Sequence, residues 1–144
     1  LEVFKERLSS VVKSPLLKKK VFMDMFYMIL FGAAIPFVFG FIFIEDLLVF
    51  ILGESWSEAA LFAKILCPSV YLKFLSYPLS YLILIENKQQ VNLIINIAFF
   101  IILAMGLYSI QSTKMAVIFL SLIFSLKALT QILLCFFILK KIEK

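Results

Sequence analysis

The stretch VFMDMFYMILFGAAIPFVFGFIFI, from Val21 to Ile44, decides the fold. Its only charge is Asp24, near its start. A hydrocarbon core about 30 Å thick takes about 20 helical residues to cross, so this run is long enough to span a bilayer. Three further runs of the same kind follow, at Ala59–Ile85, Val91–Ile110 and Ala116–Leu139. They are continuously apolar, without the period-two alternation of barrel strands. In lipid a helix satisfies every backbone amide within its own segment. The expectation is an all-α integral membrane protein with four transmembrane helices.

Composition agrees with that reading. Of 144 residues, 64% are hydrophobic and 16% are charged, against about 45–50% and about 25% in soluble domains. A small soluble domain has too much surface to hide such an excess. The chain has no His, which removes His-based catalysis and His-rich metal sites from this stretch. No metal and no cofactor is expected. Cys67 and Cys135 fall in different runs and read as two small buried hydrophobes, not a disulfide.

Working outward, the basic residues gather at the ends of the runs. Alternating spans put residues 1–20, the turn 86–90 and the tail 140–144 on one side, with ten Lys and Arg, against Lys114 alone on the other. The positive-inside rule assigns the ten to the cytoplasm, so both ends of the chain are expected there. The net charge of +5 is thus topology information and not a nucleic-acid signal. Residues 1–20 read as a cytoplasmic amphipathic segment, with Leu1, Phe4, Leu8 and Val11 at helical spacing, ended by Ser14-Pro15 and the Lys18-Lys19-Lys20 triplet. Residues 21–144 form the four-helix domain. The first residue is Leu and not Met, which carries the expectation of further chain upstream.

Between the first two runs, Leu47 to Leu52 is expected to lie along the outer interface up to a turn at Gly53. Ser55-Trp56-Ser57-Glu58 has the spacing of a capping box, with Ser55 as the cap. Trp56 sits where an indole anchors at headgroup level.

Charges inside the runs are the informative exceptions, since each costs at least ~2.5–3.5 kcal/mol at the bilayer centre. Lys64 lies close to the outer end of its run and can snorkel to the headgroups. Lys73 and Lys127 lie near the middle of theirs and are expected to face a wet or protein-lined interior. Ser69, Lys73, Ser76 and Ser80 recur at helical spacing as one polar stripe, and Gln131 falls one turn from Lys127 on the same face. Together Lys73, Lys127, Gln131, Ser69, Ser76 and Ser80 are the candidate substrate-binding residues of a cationic cavity. A Lys ammonium binds phosphate as a point charge, which points to an anionic ligand. Asn92 and Asn96 share a face and read as hydrogen-bonded glue between helices; Gly32, Ala33, Pro36 and Gly40 read as a surface for close helix approach.

The run Leu52-Gly53-Glu54-Ser55-Trp56-Ser57-Glu58-Ala59 resembles the LFGxxWxxA pattern of the Wzx-type polysaccharide flippases, with Leu52 where Phe is usual next to the Gly. Ile65-Leu66-Cys67-Pro68 and Tyr77-Pro78-Leu79-Ser80 resemble that family's next helix. Glu86 to Gln90 resembles its short cytoplasmic turn, and Asn92 with Asn96 the start of the following helix. The resemblance extends over residues 20–140 and implies the C-terminal part of a two-lobed exporter of about twelve helices. It further implies movement of undecaprenyl-pyrophosphate-linked oligosaccharide across the bacterial cytoplasmic membrane, for O-antigen, capsule or exopolysaccharide. The implied partners are that lipid-linked oligosaccharide, membrane lipids and the remaining N-terminal helices. The competing readings are a cation-coupled multidrug or metabolite exporter and a membrane-embedded glycosyl or acyl transferase. A transferase needs catalytic acids or His near an interface, and no convincing set is present, so the expectation is a carrier and not an enzyme.

Overall fold

The computed structural model describes residues 15–142. It is all-α: α1 runs Pro15–Leu52, α2 Ser57–Ile85, α3 Gln89–Ser109 and α4 Thr113–Ile142, with a single 3-10 turn, Glu54–Trp56, between α1 and α2. Each of the four is long and apolar enough to cross a membrane. The chain is a multi-pass membrane-embedded protein. The amphipathic segment expected over residues 1–20 lies outside the described residues up to position 14.

Helix limits differ from the sequence reading at both ends of α1. It already includes Pro15, the first described residue, and so extends beyond Val21. The lysine triplet therefore belongs to the helix. At the other end α1 continues through Glu45 and Asp46 to Leu52 instead of turning along the interface. Two carboxylates do not break a helix; a residue that can take positive φ does, and Gly53 takes it, at φ 92°. At 38 residues α1 is about 57 Å long, well beyond the hydrocarbon thickness, so it must tilt or project.

The expected capping box is not formed. Helical bonding starts ahead of Ser55: the Trp56 amide donates to Gly53 O at 3.1 Å and the Ser57 amide to Glu54 O. Trp56 takes the cap position of α2, without a side-chain cap. The opposite turn is a Schellman motif. Asn87 takes φ 53°, its amide donates to Leu84 O at 3.1 Å, and the Lys88 amide donates to Ile83 O at 2.9 Å.

In space the order is α1, α2, α4, α3, with the most extensive contact between α2 and α4. These two run parallel. Ser121 Oγ donates to Ile65 O at 2.8 Å and Cys135 Sγ to Leu79 O at 3.2 Å, both across 56 residues. The same offset at two levels fixes the axial register. The core lies near the end of the bundle that carries the Glu86–Lys88 turn. There Phe22 of α1, Leu75, Leu79, Leu82 and Ile83 of α2, and Ile132, Cys135, Ile138 and Leu139 of α4 are buried together. Phe22 and Phe26 meet Phe136 edge-on at 5.9 and 5.3 Å, tying α1 to α4. Cys67 and Cys135 are both free thiols.

The flanks are different. α3 has no buried residue, and α1 leaves Phe31, Ile35, Phe39 and Phe50 exposed. No neighbour reaches Gly32 or Gly40, so the close approach expected on that face is not made within the described residues; Ala33 beside them is buried. The small residue that does admit a neighbour is Gly106, where a Cβ would run into the Phe119 ring of α4.

Candidate functional site

Two helical hairpins set the levels at which side chains meet. In the α1–α2 hairpin, residues on either side of the Gly53 turn come together across the two helices. Lys64 Nζ bonds Glu45 Oε2 at 2.9 Å, and Tyr71 OH donates to Leu30 O at 2.8 Å. In the α3–α4 hairpin, Gln131 Nε2 donates to Asn92 Oδ1 at 3.0 Å. Asn92 thus acts between helices, and Gln131, expected in the substrate set, spends a donor on it. Asn96, one turn from Asn92, borders a groove with Lys127.

Lys73 and Lys127 come from neighbouring parallel helices at nearly the same level. Lys73 is exposed on the side of α2 that forms a groove with α1. This groove, about 430 Å³, is apolar apart from Lys73 and Tyr77, with Met25, Met28, Ile29 and Phe74 along it. Lys127 is half-buried and lines a second groove, about 380 Å³, between α4 and α3, with Asn96, Phe100, Leu103 and Phe124. The lysines therefore line two grooves and not one enclosed cavity. They are nonetheless linked. Lys73 Nζ stands over the Phe124 ring, 5.7 Å from its centroid, and Phe124 is also part of the Lys127 groove.

A cation within about 6 Å of a ring centroid gains ~0.5–2 kcal/mol, the more the less water surrounds it. That is a weak counter-group. Among the described residues no carboxylate lies within ion-pair distance of Lys73 or Lys127. Together they bring two positive charges to grooves that share the Phe124 wall, and the chemistry that answers them is an anion with an apolar portion.

The serine stripe is divided. Ser69 and Ser76 are buried at 1% and 2% exposure, turned into the bundle and not beside the exposed Lys73. Their hydroxyls donate to their own helix, to Leu66 O at 2.7 Å and Lys73 O at 3.0 Å. Ser80 donates to Tyr77 O at 2.6 Å and lines a small polar pocket with Gln89 and Asn92, away from the lysines. Helical spacing put these residues near one face but could not say which edge of that face a neighbouring helix covers. Trp56 is half exposed at the end of the bundle opposite the Glu86–Lys88 turn, with no ring partner among the described residues.

Two participants were missed in the sequence. Glu45 seemed to belong to a loop; carrying α1 on to the Gly53 turn would have placed it opposite the first turns of α2, where Lys64 lies. Phe124 carried no signal, being one of seventeen Phe in the chain, apart from its position one turn before Lys127. Searches against family models, curated proteins and solved structures found no match to this chain.

Proposed function

We propose that this chain is part of a carrier that flips a lipid-linked oligosaccharide pyrophosphate across the bacterial cytoplasmic membrane. The observation that carries the reading is the pair Lys73 and Lys127, near mid-helix, flanking Phe124 with no carboxylate partner among the described residues. An unpaired cation at that depth costs energy unless something returns it. A diphosphate headgroup would return it, and the ammonium groups in turn lower the cost of carrying negative charge through a low-dielectric layer. The apolar groove beside Lys73 suits the lipid part of such a molecule. Four helices enclose no path wide enough for a glycan, so the opposite wall belongs to other helices, as in two-lobed carriers with a central site. On this reading the lysine-rich end, with Lys20, Lys88 and Lys140, faces the cytoplasm.

The resemblance of Leu52–Ala59 to the Wzx-type pattern supports the same reading. Coupling to a cation in a drug exporter would favour an available intramembrane acid. The acid set deepest from the Gly53 turn on α1 after Asp24 is Glu45, and it is held by Lys64.

The test is replacement of Lys73 and Lys127 by Ala, singly and together, in the full-length protein at matched abundance. Transport of lipid-linked oligosaccharide into the outer leaflet of reconstituted vesicles should fall more than tenfold in the double variant. Undiminished transport would remove the reading.

A further inference from the structure

Lys64 and Lys73 lie on the same helix. Lys64 has a carboxylate, Glu45 Oε2, at 2.9 Å; Lys73 has the face of Phe124 at 5.7 Å. α4 contains no Asp or Glu, and in α2 the only acid is Glu58 in the first turn. The ring is thus the sole group of negative character that the described residues bring to the Lys73 ammonium. Phe124 also walls the groove of Lys127, so one ring borders both cations.

We propose that Phe124 is the resident counter-group of Lys73, holding the ammonium in place while the carrier is empty and yielding it to a phosphate-bearing headgroup. The proposal rests on the reading of the lysine pair as an anion site. Its physical basis is a ranking. Without any partner, a lysine on an exposed groove would swing its flexible stem toward the nearest polar surface. With a carboxylate partner it would be neutralised, as Lys64 is, and a ligand would have to break an ion pair. A ring face lies between these, strong enough to position an ammonium and too weak to keep it from a phosphate. Phe124 is a positioning residue: it acts through Lys73 and not on the ligand.

The test uses the full-length protein in nanodiscs and one probe, farnesyl pyrophosphate, a diphosphate on a short isoprenoid. Phe124 is replaced by mono-, di- and trifluorophenylalanine, which keep ring shape while draining the negative face. Binding of the probe should tighten stepwise, by about 3- to 10-fold over the series, and the series should be flat in a Lys73→Gln background. A flat series with Lys73 present, a series that weakens binding, or the same slope in both backgrounds overturns the proposal. Lys73→Gln and Lys127→Gln separate the two levels. If both bind the probe as the parent does, the anion site itself is wrong and this inference falls with it. If they lose binding while the fluorinated series stays flat, only the role of Phe124 is wrong.

Discussion

Lys64 and Lys73 stand nine residues apart on α2 and have opposite surroundings. Lys64 ends on a carboxylate from the neighbouring helix of its own hairpin, where it ties α1 to α2. Lys73 ends on an aromatic ring of α4, in line with a second lysine and beside an open apolar groove. The difference teaches that a charge in a membrane helix is not functional by its presence. What decides is whether the fold gives it a full counter-charge or leaves the balance to be made up by something that arrives.

The most severe way to break that comparison is to exchange the two roles. Placing a carboxylate opposite Lys73, as Phe124→Glu, gives it the partner that Lys64 has. Transport in reconstituted vesicles should drop more than tenfold, approaching the Lys73→Ala/Lys127→Ala variant, while removal of the Lys64 pair by Glu45→Gln/Lys64→Gln should stay within about twofold of the parent. Equal losses from both pairs would erase the distinction.

A smaller effect is expected on stability from Gly106→Leu. The added side chain collides with Phe119 and pushes α3 away from α4, widening the Lys127 groove. Overpacking of this kind costs about 1–3 kcal/mol. It should show as a lowered thermal midpoint in nanodiscs and as weaker cross-linking between cysteines placed at Asn92 and Gln131. An unchanged midpoint would mean that α3 is not seated on α4 as described.

Glu45→Gln alone sharpens the comparison from the structural side. The pair is more than a third exposed on average, at 35% and 38%, so its loss should lower the thermal midpoint only slightly. The charge-swapped double variant Glu45→Lys/Lys64→Glu should recover the thermal midpoint of the parent. Failure of the swap to recover would show that geometry, not charge, carries the contact.

The smallest effects belong to the serines. Ser69→Ala and Ser76→Ala remove hydroxyls that already bond their own helix, so each should cost well under about 1 kcal/mol and leave farnesyl pyrophosphate binding unchanged. A loss of binding as large as that of Lys73→Gln would return the hydroxyls to the site.

The all-α class and the four long helices were legible because hydropathy measures the very quantity that selects them, transfer of a helix into hydrocarbon. The true length of α1 was not. Glu45 and Asp46 look like the end of an apolar run, and only the fold shows that the carboxylate of Glu45 is neutralised by Lys64. Ser55 and Glu58 carried the spacing of a cap, but spacing does not reveal that a 3-10 turn has already taken the amides. At the candidate site, the mid-helix position of Lys73 and Lys127 could be read directly. That they meet at Phe124 could not, because it depends on α2 and α4 being parallel neighbours, a tertiary fact. The division of the serine stripe has the same origin, since burial of Ser69 and Ser76 follows from which side of α2 its neighbours cover.

The matched 56-residue offset of the two bonds between α2 and α4 has a mechanical meaning. Two rods pinned at two points cannot slide past one another, so the spine they form behaves as one stiff plank. Whatever α1 and α3 do at its edges, the positions from which Lys73 and Lys127 spring are preset, like the sockets that hold the prongs of a plug.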